Sequence, residues 1–143
     1  MELHTDLVEV ATRGFTDILD ITDDLRRCIE RSTLTDGVLT AFAPGATAAL
    51  TTIEYEPGLL EDLPAFFEKL APQEYPYRHH HTWHDDNGSA HIRAALVGPS
   101  ISVPLVNGRL TLGTWQQVVL VDFDTRPRDR RLVVQIVGER RAD

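Results

Sequence analysis

Apolar and polar positions alternate from Leu3 to Val10. Leu3, Thr5, Leu7 and Glu9 fall on one side, and His4, Asp6, Val8 and Val10 on the other. A period of two predicts a strand, placed at a sheet edge. Gly14 ends it, and Phe15 to Leu19 predicts a second, short strand. The period then lengthens. Ile21, Leu25, Cys28, Ile29 and Ser32 recur at helical spacing, so one side packs inward while Arg26, Arg27 and Glu30 face water. Thr22 is the candidate cap of this helix, and Asp23 and Asp24 sit in its first turn, where carboxylates suit the positive end of the dipole. Thr35-Asp36-Gly37 reads as a turn, Gly37 to Ala43 as a buried strand and Ala46 to Glu54 as another, with Pro44-Gly45 between them. Pro57 suits the first turn of a second helix, whose apolar stripe is Leu59, Leu60, Leu63, Phe66, Phe67 and Leu70. Pro64 inside that stripe predicts a kink or a split.

Beyond Pro72 periodicity fades for roughly twenty residues, a length of loop that is usually functional or disordered. Tyr75, Tyr77 and Trp83 argue for an ordered one. Ile92 to Val97 follows as a short helix or strand. Three strand-like runs then close the chain, Ser100 to Leu105, Leu110 to Phe123 and Arg131 to Val137, with Asn107-Gly108 as a hairpin turn between the first two. No repeat or interdomain linker interrupts them. The pattern predicts one domain over residues 1–143, α+β in class, with a large antiparallel component and two main helices.

Composition narrows the function classes. At 143 residues and 42% hydrophobic, the chain can bury a core without staples. Its single cysteine, Cys28, excludes an internal disulfide and fits a reducing cytoplasm. It lies on the inner stripe of the first helix, where a thiol serves as a small core residue. No apolar run approaches the ~20 residues a bilayer span needs, and the N-terminus lacks a secretory pattern. A formal charge of −8 argues against nucleic-acid or anionic-membrane partners, which call for a basic footprint.

The chemistry concentrates between Tyr77 and Arg93. Five of the six histidines lie there, His79, His80, His81, His84 and His91, among Asp85, Asp86 and Asn87-Gly88. Histidine and carboxylate are the side chains of metal ligation and of proton transfer near neutral pH. Extended chain would project His79 and His81 to one side and His80 to the other. His81 and His84 fit a turn, and His91 can return from the next element. Two or three of these rings, completed by Asp86 or Glu54, suit zinc or a similar divalent ion. A metal-free anion or substrate pocket and a solvated loop remain alternatives, because loop spacing constrains less than His-Glu-x-x-His on a helix. Glu54 reads as a base or ligand, or as an exposed strand end. Trp115 reads as core, subunit interface or stacking wall, and Gln116 needs a hydrogen-bond partner if buried. Arg126, Arg128, Arg130 and Arg131 read as a solvated turn, or as a phosphate-binding or subunit-bridging patch. The chain has no phosphate-binding glycine loop, nucleophile elbow or Cys-x-x-Cys pair.

Several strings taken together resemble the YjbQ-like family, also called the secondary thiamine-phosphate synthase family. They are TAALTTIEYEPGLLEDL at 47–63, Tyr77-x-His79, Asp86-Asn87 leading to His91-Ile92-Arg93, Leu96-x-Gly98-Pro99-Ser100, Val103-Pro104, Gly108-Arg109-Leu110, Leu112-Gly113-Thr114-Trp115-Gln116, Arg130-Arg131 and Gly138-Glu139. The resemblance covers nearly the whole chain. It implies a jelly-roll-like β-sandwich flanked by helices, a homotrimer, and a weak or secondary ability to make thiamine phosphate from its pyrimidine pyrophosphate and thiazole phosphate precursors. It places Thr47, Glu54, Asp62, His79, Asp86, His91, Arg93, Trp115 and Gln116 at shared positions. On that footing His79, Asp86, His91 and Glu54 are the candidate catalytic residues. Thr47, Asn87, Arg93, Trp115 and Gln116 are candidates for substrate binding, with Arg93 meeting phosphate. His79 and His91, joined by His81 or His84, are candidates for a divalent metal. One departure stands out: many relatives carry a histidine where this chain has Gly45.

Overall fold

The alternation at the start of the chain is a strand, β1 (Glu2–Thr12), and it forms one edge of a five-stranded sheet. The structure, a computed structural model, describes residues 1–142; the last position of the expected domain, Asp143, lies outside them. After β1 come β2 (Asp17–Asp20), α1 (Thr22–Ser32), β3 (Asp36–Phe42), β4 (Ala48–Glu54) and α2 (Pro57–Leu70). Then follow α3 (His79–Trp83), α4 (Gly88–Val97), β5 (Ser100–Val106), β6 (Arg109–Leu110), β7 (Gln116–Asp122) and β8 (Arg128–Glu139). The larger sheet runs β1-β8-β3-β5-β6 and the smaller β2-β7-β4, antiparallel throughout. The fold is α+β, as expected.

The two sheets pack face to face. Val8, Leu132, Val134, Ile136, Leu39 and Leu105 from the larger sheet meet Leu50, Val118 and Leu120 from the smaller, and α1 closes the side with Leu25, Cys28 and Ile29. Burial pushes the Cys28 thiol up to about 11, consistent with a core side chain. The other face of the smaller sheet is also covered. Val119, Val121, Ala49 and Ile18 pack under Ala90 and Ala94 of α4 and under Leu60, Leu63 and Phe67 of α2. A strand buried on both faces reads as a continuous apolar run, which is why Val118–Val121 does not alternate.

Four expectations are corrected. The run from Leu110 to Phe123 is not one strand: it ends as β6, turns at Gly113-Thr114-Trp115 and resumes as β7 in the other sheet. Apolar Leu112 at the break hid the crossing from the pattern. The histidine stretch is not structureless, since α3 occupies its middle and α4 begins before His91. Thr22 is not the cap of α1. It is the first helical residue, its backbone N–H donates to Asp20 Oδ1 (2.9 Å), and its hydroxyl accepts from the backbone N–H of Val118 (2.9 Å). Finally, Pro64 does not split α2, which is one helix lying on the surface with Phe66 and Leu70 exposed. No helix among the described residues is long and apolar enough to cross a membrane.

Candidate functional site

The N-terminal end of β4, the C-terminal end of β7, the start of β8 and the start of α4 meet at one corner of the molecule. Two carboxylates are buried there, Asp122 at 0% and Asp124 at 1% exposure. Buried charge must be paired to persist. Arg130 supplies a fork to Asp122, from Nε (2.8 Å) and Nη2 (2.9 Å), and Thr12 donates its hydroxyl to the same group (2.6 Å). Arg128 donates to Asp124 (2.9 Å), as do the hydroxyl of Thr47 (3.0 Å) and the amide of Asn87 (3.4 Å). Burial raises the Asp124 carboxyl, but the Thr125 amide, Arg128 and Thr47 outweigh it and leave it at about 2. Asp122 also ends below its usual range, Arg130 and Thr12 overcoming its burial. Sequence reading missed both aspartates and gave their arginines to a turn or a phosphate patch. The signal was there in the spacing. Arg128 and Arg130 share one face of β8, and Asp122 ends β7 with Asp124 two residues beyond it, its backbone N–H donating to Asp122 Oδ1.

This network anchors the candidate chemistry. Asn87, held by Asp124, begins α4, and one turn later His91 stands at its surface. The short helix α3 brings His79 against it, with ring centroids 4.3 Å apart and planes at 39°. Two polar atoms here are buried without a hydrogen-bond partner, His79 Nδ1 and Asn87 Oδ1. Asp85 Oδ1 lies 3.2 Å from His79 Nδ1 but off the line of a hydrogen bond. Burial, and then the neighbouring His79, lower the basicity of His91, so its ring is neutral near pH 7. Beside His91 opens a hollow of about 350 Å³ floored by small residues, Gly45, Ala46, Ala48, Ala94 and Ala95, and bounded by Pro99. Gly45 keeps it open. Its φ of +112° favours glycine, and a Cβ there would lie 3.3 Å from Arg130 Nη1. A larger recess of about 530 Å³ is lined by Tyr75, Tyr77, His80, His81, Asp85 and Asp86 among others.

The expected site residues therefore divide. Thr47, His79, Asn87 and His91 come together with the buried aspartates, and Asp86 is exposed at the rim of the larger recess. Glu54, Trp115 and Gln116 do not join them. Glu54 pairs in register with Gln116 at the far end of β4, roughly 20 Å from Thr47 at about 3.3 Å per residue. Trp115 is 73% exposed there, and Gln116 donates to Thr52 and accepts from the Gly113 N–H. Arg93 is not available to phosphate. It is buried, and its guanidinium is spent on the Ala71 carbonyl, the Thr16 hydroxyl and Glu68. Asp62 is exposed on α2. His81 and His84 gather round His80, at 6.4 and 6.0 Å between centroids, rather than round His79 and His91. Among the described residues no three His, Cys, Asp or Glu side chains converge as a metal site. His79 and His91 bring two imidazoles together, and a zinc-type centre takes four ligands.

Comparison with known proteins adds the following. The family model described as "UPF0047 protein YjbQ-like" matches residues 6–139. A UPF0047 protein of Archaeoglobus fulgidus is 44% identical over 119 residues, 83% of this chain and 90% of that protein. One from Methanothermobacter thermautotrophicus is 34% identical over 139 residues, 97% of this chain and 95% of the other. Among solved structures, a YbjQ-like protein of unknown function from Sulfolobus solfataricus P2 superposes with a TM-score of 0.90 at 31% identity, over 96% of this chain and 99% of that one.

Proposed function

This chain belongs to the UPF0047 family of YjbQ-like proteins, and from that premise we propose that it is an enzyme acting on a phosphorylated small molecule, with His79 and His91 as its proton-handling pair. One observation carries the reading: two polar atoms buried without partners, His79 Nδ1 and Asn87 Oδ1, beside the contact of two imidazoles. Buried polar groups are almost always satisfied, so Asn87 Oδ1, and His79 Nδ1 with only the misaligned Asp85 carboxylate at 3.2 Å, are atoms a ligand can complete. Neutral His91 accepts a proton at physiological pH, Asn87 Oδ1 accepts from a substrate N–H or O–H, and the small-residue hollow takes the substrate's body. Arg130 Nη1 is the cation next to that hollow, and it faces the place that Gly45 leaves free.

The finer reading is a weak thiamine-phosphate synthase-type transfer. The carbon–oxygen bond to pyrophosphate breaks, pyrophosphate leaves with the bonding electrons, and the thiazole nitrogen forms the new carbon–nitrogen bond. A neutral imidazole N–H of the pair hydrogen-bonds the departing pyrophosphate, and no net proton is transferred in forming the thiazolium. The protein works in the reducing cytoplasm as a homotrimer. The test is turnover of the two precursors by the wild type and by the His79→Ala and His91→Ala variants. We expect product from the wild type and a loss of about 10²- to 10⁴-fold in each variant, with melting temperatures unchanged within a few degrees.

A second reading, a ligand-binding or assembly module without catalysis, is favoured by the burial of Arg93 and by the distance of Glu54, Trp115 and Gln116 from the histidines. Equal turnover in all three proteins, or none in the wild type, would move the assignment there.

A further inference from the structure

Three histidines of the loop take no part in the His79–His91 contact. His80 and His81 lie in α3, and His84 caps its C-terminal end. His80 and His84 stand one helical turn apart, the backbone N–H of His84 donating to the His80 carbonyl (2.8 Å). Side chains at that spacing lie on one face of a helix, whereas neighbours such as His80 and His81 do not. The rings of His80 and His84 meet edge to face, with centroids 6.0 Å apart and planes at 86°. An ion about 2.1 Å from one nitrogen of each ring lies about 3.2 Å from each centroid, which sets centroids sharing it about 4.6 to 6.5 Å apart. The separation of His80 and His84 falls inside that range. The 4.3 Å between His79 and His91 falls below it.

The His80 ring is also held from behind. Its Nδ1 lies 3.0 Å from the Asp85 carbonyl oxygen. A carbonyl only accepts, so Nδ1 carries the hydrogen, and in the neutral ring the lone pair is on Nε2. Metal-ligating histidines are oriented in this way, with the second ring nitrogen tied to a backbone carbonyl or a carboxylate. The surroundings favour a cation. Asp86 Oδ1 is 3.6 Å from His80 Nδ1, and among the described residues neither Asp85 nor Asp86 pairs with an arginine or lysine. The chain as a whole carries a formal charge of −8.

We propose that His80 and His84 form a two-histidine site for a divalent transition ion such as zinc, nickel or copper, separate from the His79–His91 pair. Imidazole donors select these ions over magnesium and calcium, which take oxygen ligands. Two protein donors leave the remaining positions to water, so the ion is exchangeable rather than part of a closed structural centre. That agrees with the lack of a third His, Cys, Asp or Glu ligand among the described residues. The ion has a structural consequence. The helix α3 is five residues long, too short to be stable by itself. A chelate across His80 and His84 closes its single turn and clamps the segment that holds His79 against His91.

The experiment is a calorimetric titration of Zn²⁺ into the tag-free full chain near neutral pH, in a buffer that does not bind metals. The wild type is run beside His80→Ala, His84→Asn, His81→Ala and His91→Ala. Asparagine is chosen at position 84 because it tolerates the left-handed backbone there (φ +55°). Both ligands are exposed, so these variants keep the fold. The tightest site should take one ion per chain and weaken at least tenfold in His80→Ala and in His84→Asn, where a single donor replaces a chelate. It should stay within about twofold in His81→Ala and His91→Ala. Amide exchange over residues 79–84 should slow at least threefold with Zn²⁺ in the wild type and not in His84→Asn, and Mg²⁺ should have no effect. No binding by the wild type would overturn the proposal. So would a tenfold loss in His91→Ala or His81→Ala, or an unchanged affinity in His84→Asn. Neither readout involves turnover, so the site stands or falls independently of the reaction proposed above.

Discussion

Replacing Asp122 by alanine removes the carboxylate that neutralises Arg130 in the interior. The loss is not of one hydrogen bond but of the reason Arg130 can be buried: the carboxylate is 0% and the guanidinium side chain 12% exposed. Breaking a buried pair by deleting one partner costs about 3–5 kcal/mol, and Asp124 Oδ2, at 3.8 Å from Arg130 Nη2, compensates the remaining charge only in part. Unfolding entropy near 2.1 cal/mol/K per residue gives roughly 0.3 kcal/mol/K for a chain of this length, so the melting temperature should fall by about 10–17 °C. Calorimetry measures it. The double variant Asp122→Ala/Arg130→Met should recover part of the fall, because it removes the stranded charge as well. Acid unfolding tests the same network. Asp124 is held at about 2 against an ordinary 3.8, and Asp122 is shifted in the same direction. A depressed carboxylate stabilises the fold fully above its unfolded value and loses that contribution as pH falls from about 4 towards 2. For Asp124 this amounts to about 2 kcal/mol. A fall of under 3 °C in the single variant, or no recovery in the double, would refute the reasoning.

Arg93→Leu should destabilise the protein by about 3–5 kcal/mol, leaving the Ala71 carbonyl and Thr16 hydroxyl unpaired, while the KM of any phosphorylated substrate stays within about twofold; denaturant titration and steady-state kinetics check the two halves. Glu54→Gln should leave turnover and melting temperature unchanged, because its carboxylate is exposed at the far end of β4 from the histidines. Gly88→Val should disorder the start of α4, since even a Cβ there would lie 2.8 Å from Tyr77 Cβ, and hydrogen exchange should rise across α3 and the first turn of α4.

Much of the scaffold was legible in the sequence, because burial imposes a period. The outward set Leu3, Thr5, Leu7 and Glu9 and the inward set His4, Asp6, Val8 and Val10 divide as β1 divides them, and the stripe from Leu25 to Ser32 is the buried side of α1. Where burial does not alternate, the pattern failed. The small residues and histidines of α3 and α4 have no strong apolar period, so α3 and the start of α4 read as loop and the rest of α4 as helix or strand. Of the site, His79 and His91 were named together on the family resemblance, and their rings do meet. Asp122, Asp124 and the inward-facing arginines were not, because long-range pairing leaves only a parity in the sequence. Arg93 failed for the opposite reason. An arginine beside a histidine suggests phosphate, and only the packed structure reveals that Ala71, Thr16 and Glu68 have already claimed it.

The most direct test of the histidine pair is a set of imidazole nitrogen spectra between pH 5 and 8, recorded with and without the pyrimidine pyrophosphate and thiazole phosphate precursors. The account predicts that His91 titrates below the ordinary histidine value of 6.5, is neutral at pH 7, and shifts together with His79 when the precursors are added. A His91 that titrates at or above 6.5, with neither ring responding to the precursors, would contradict it.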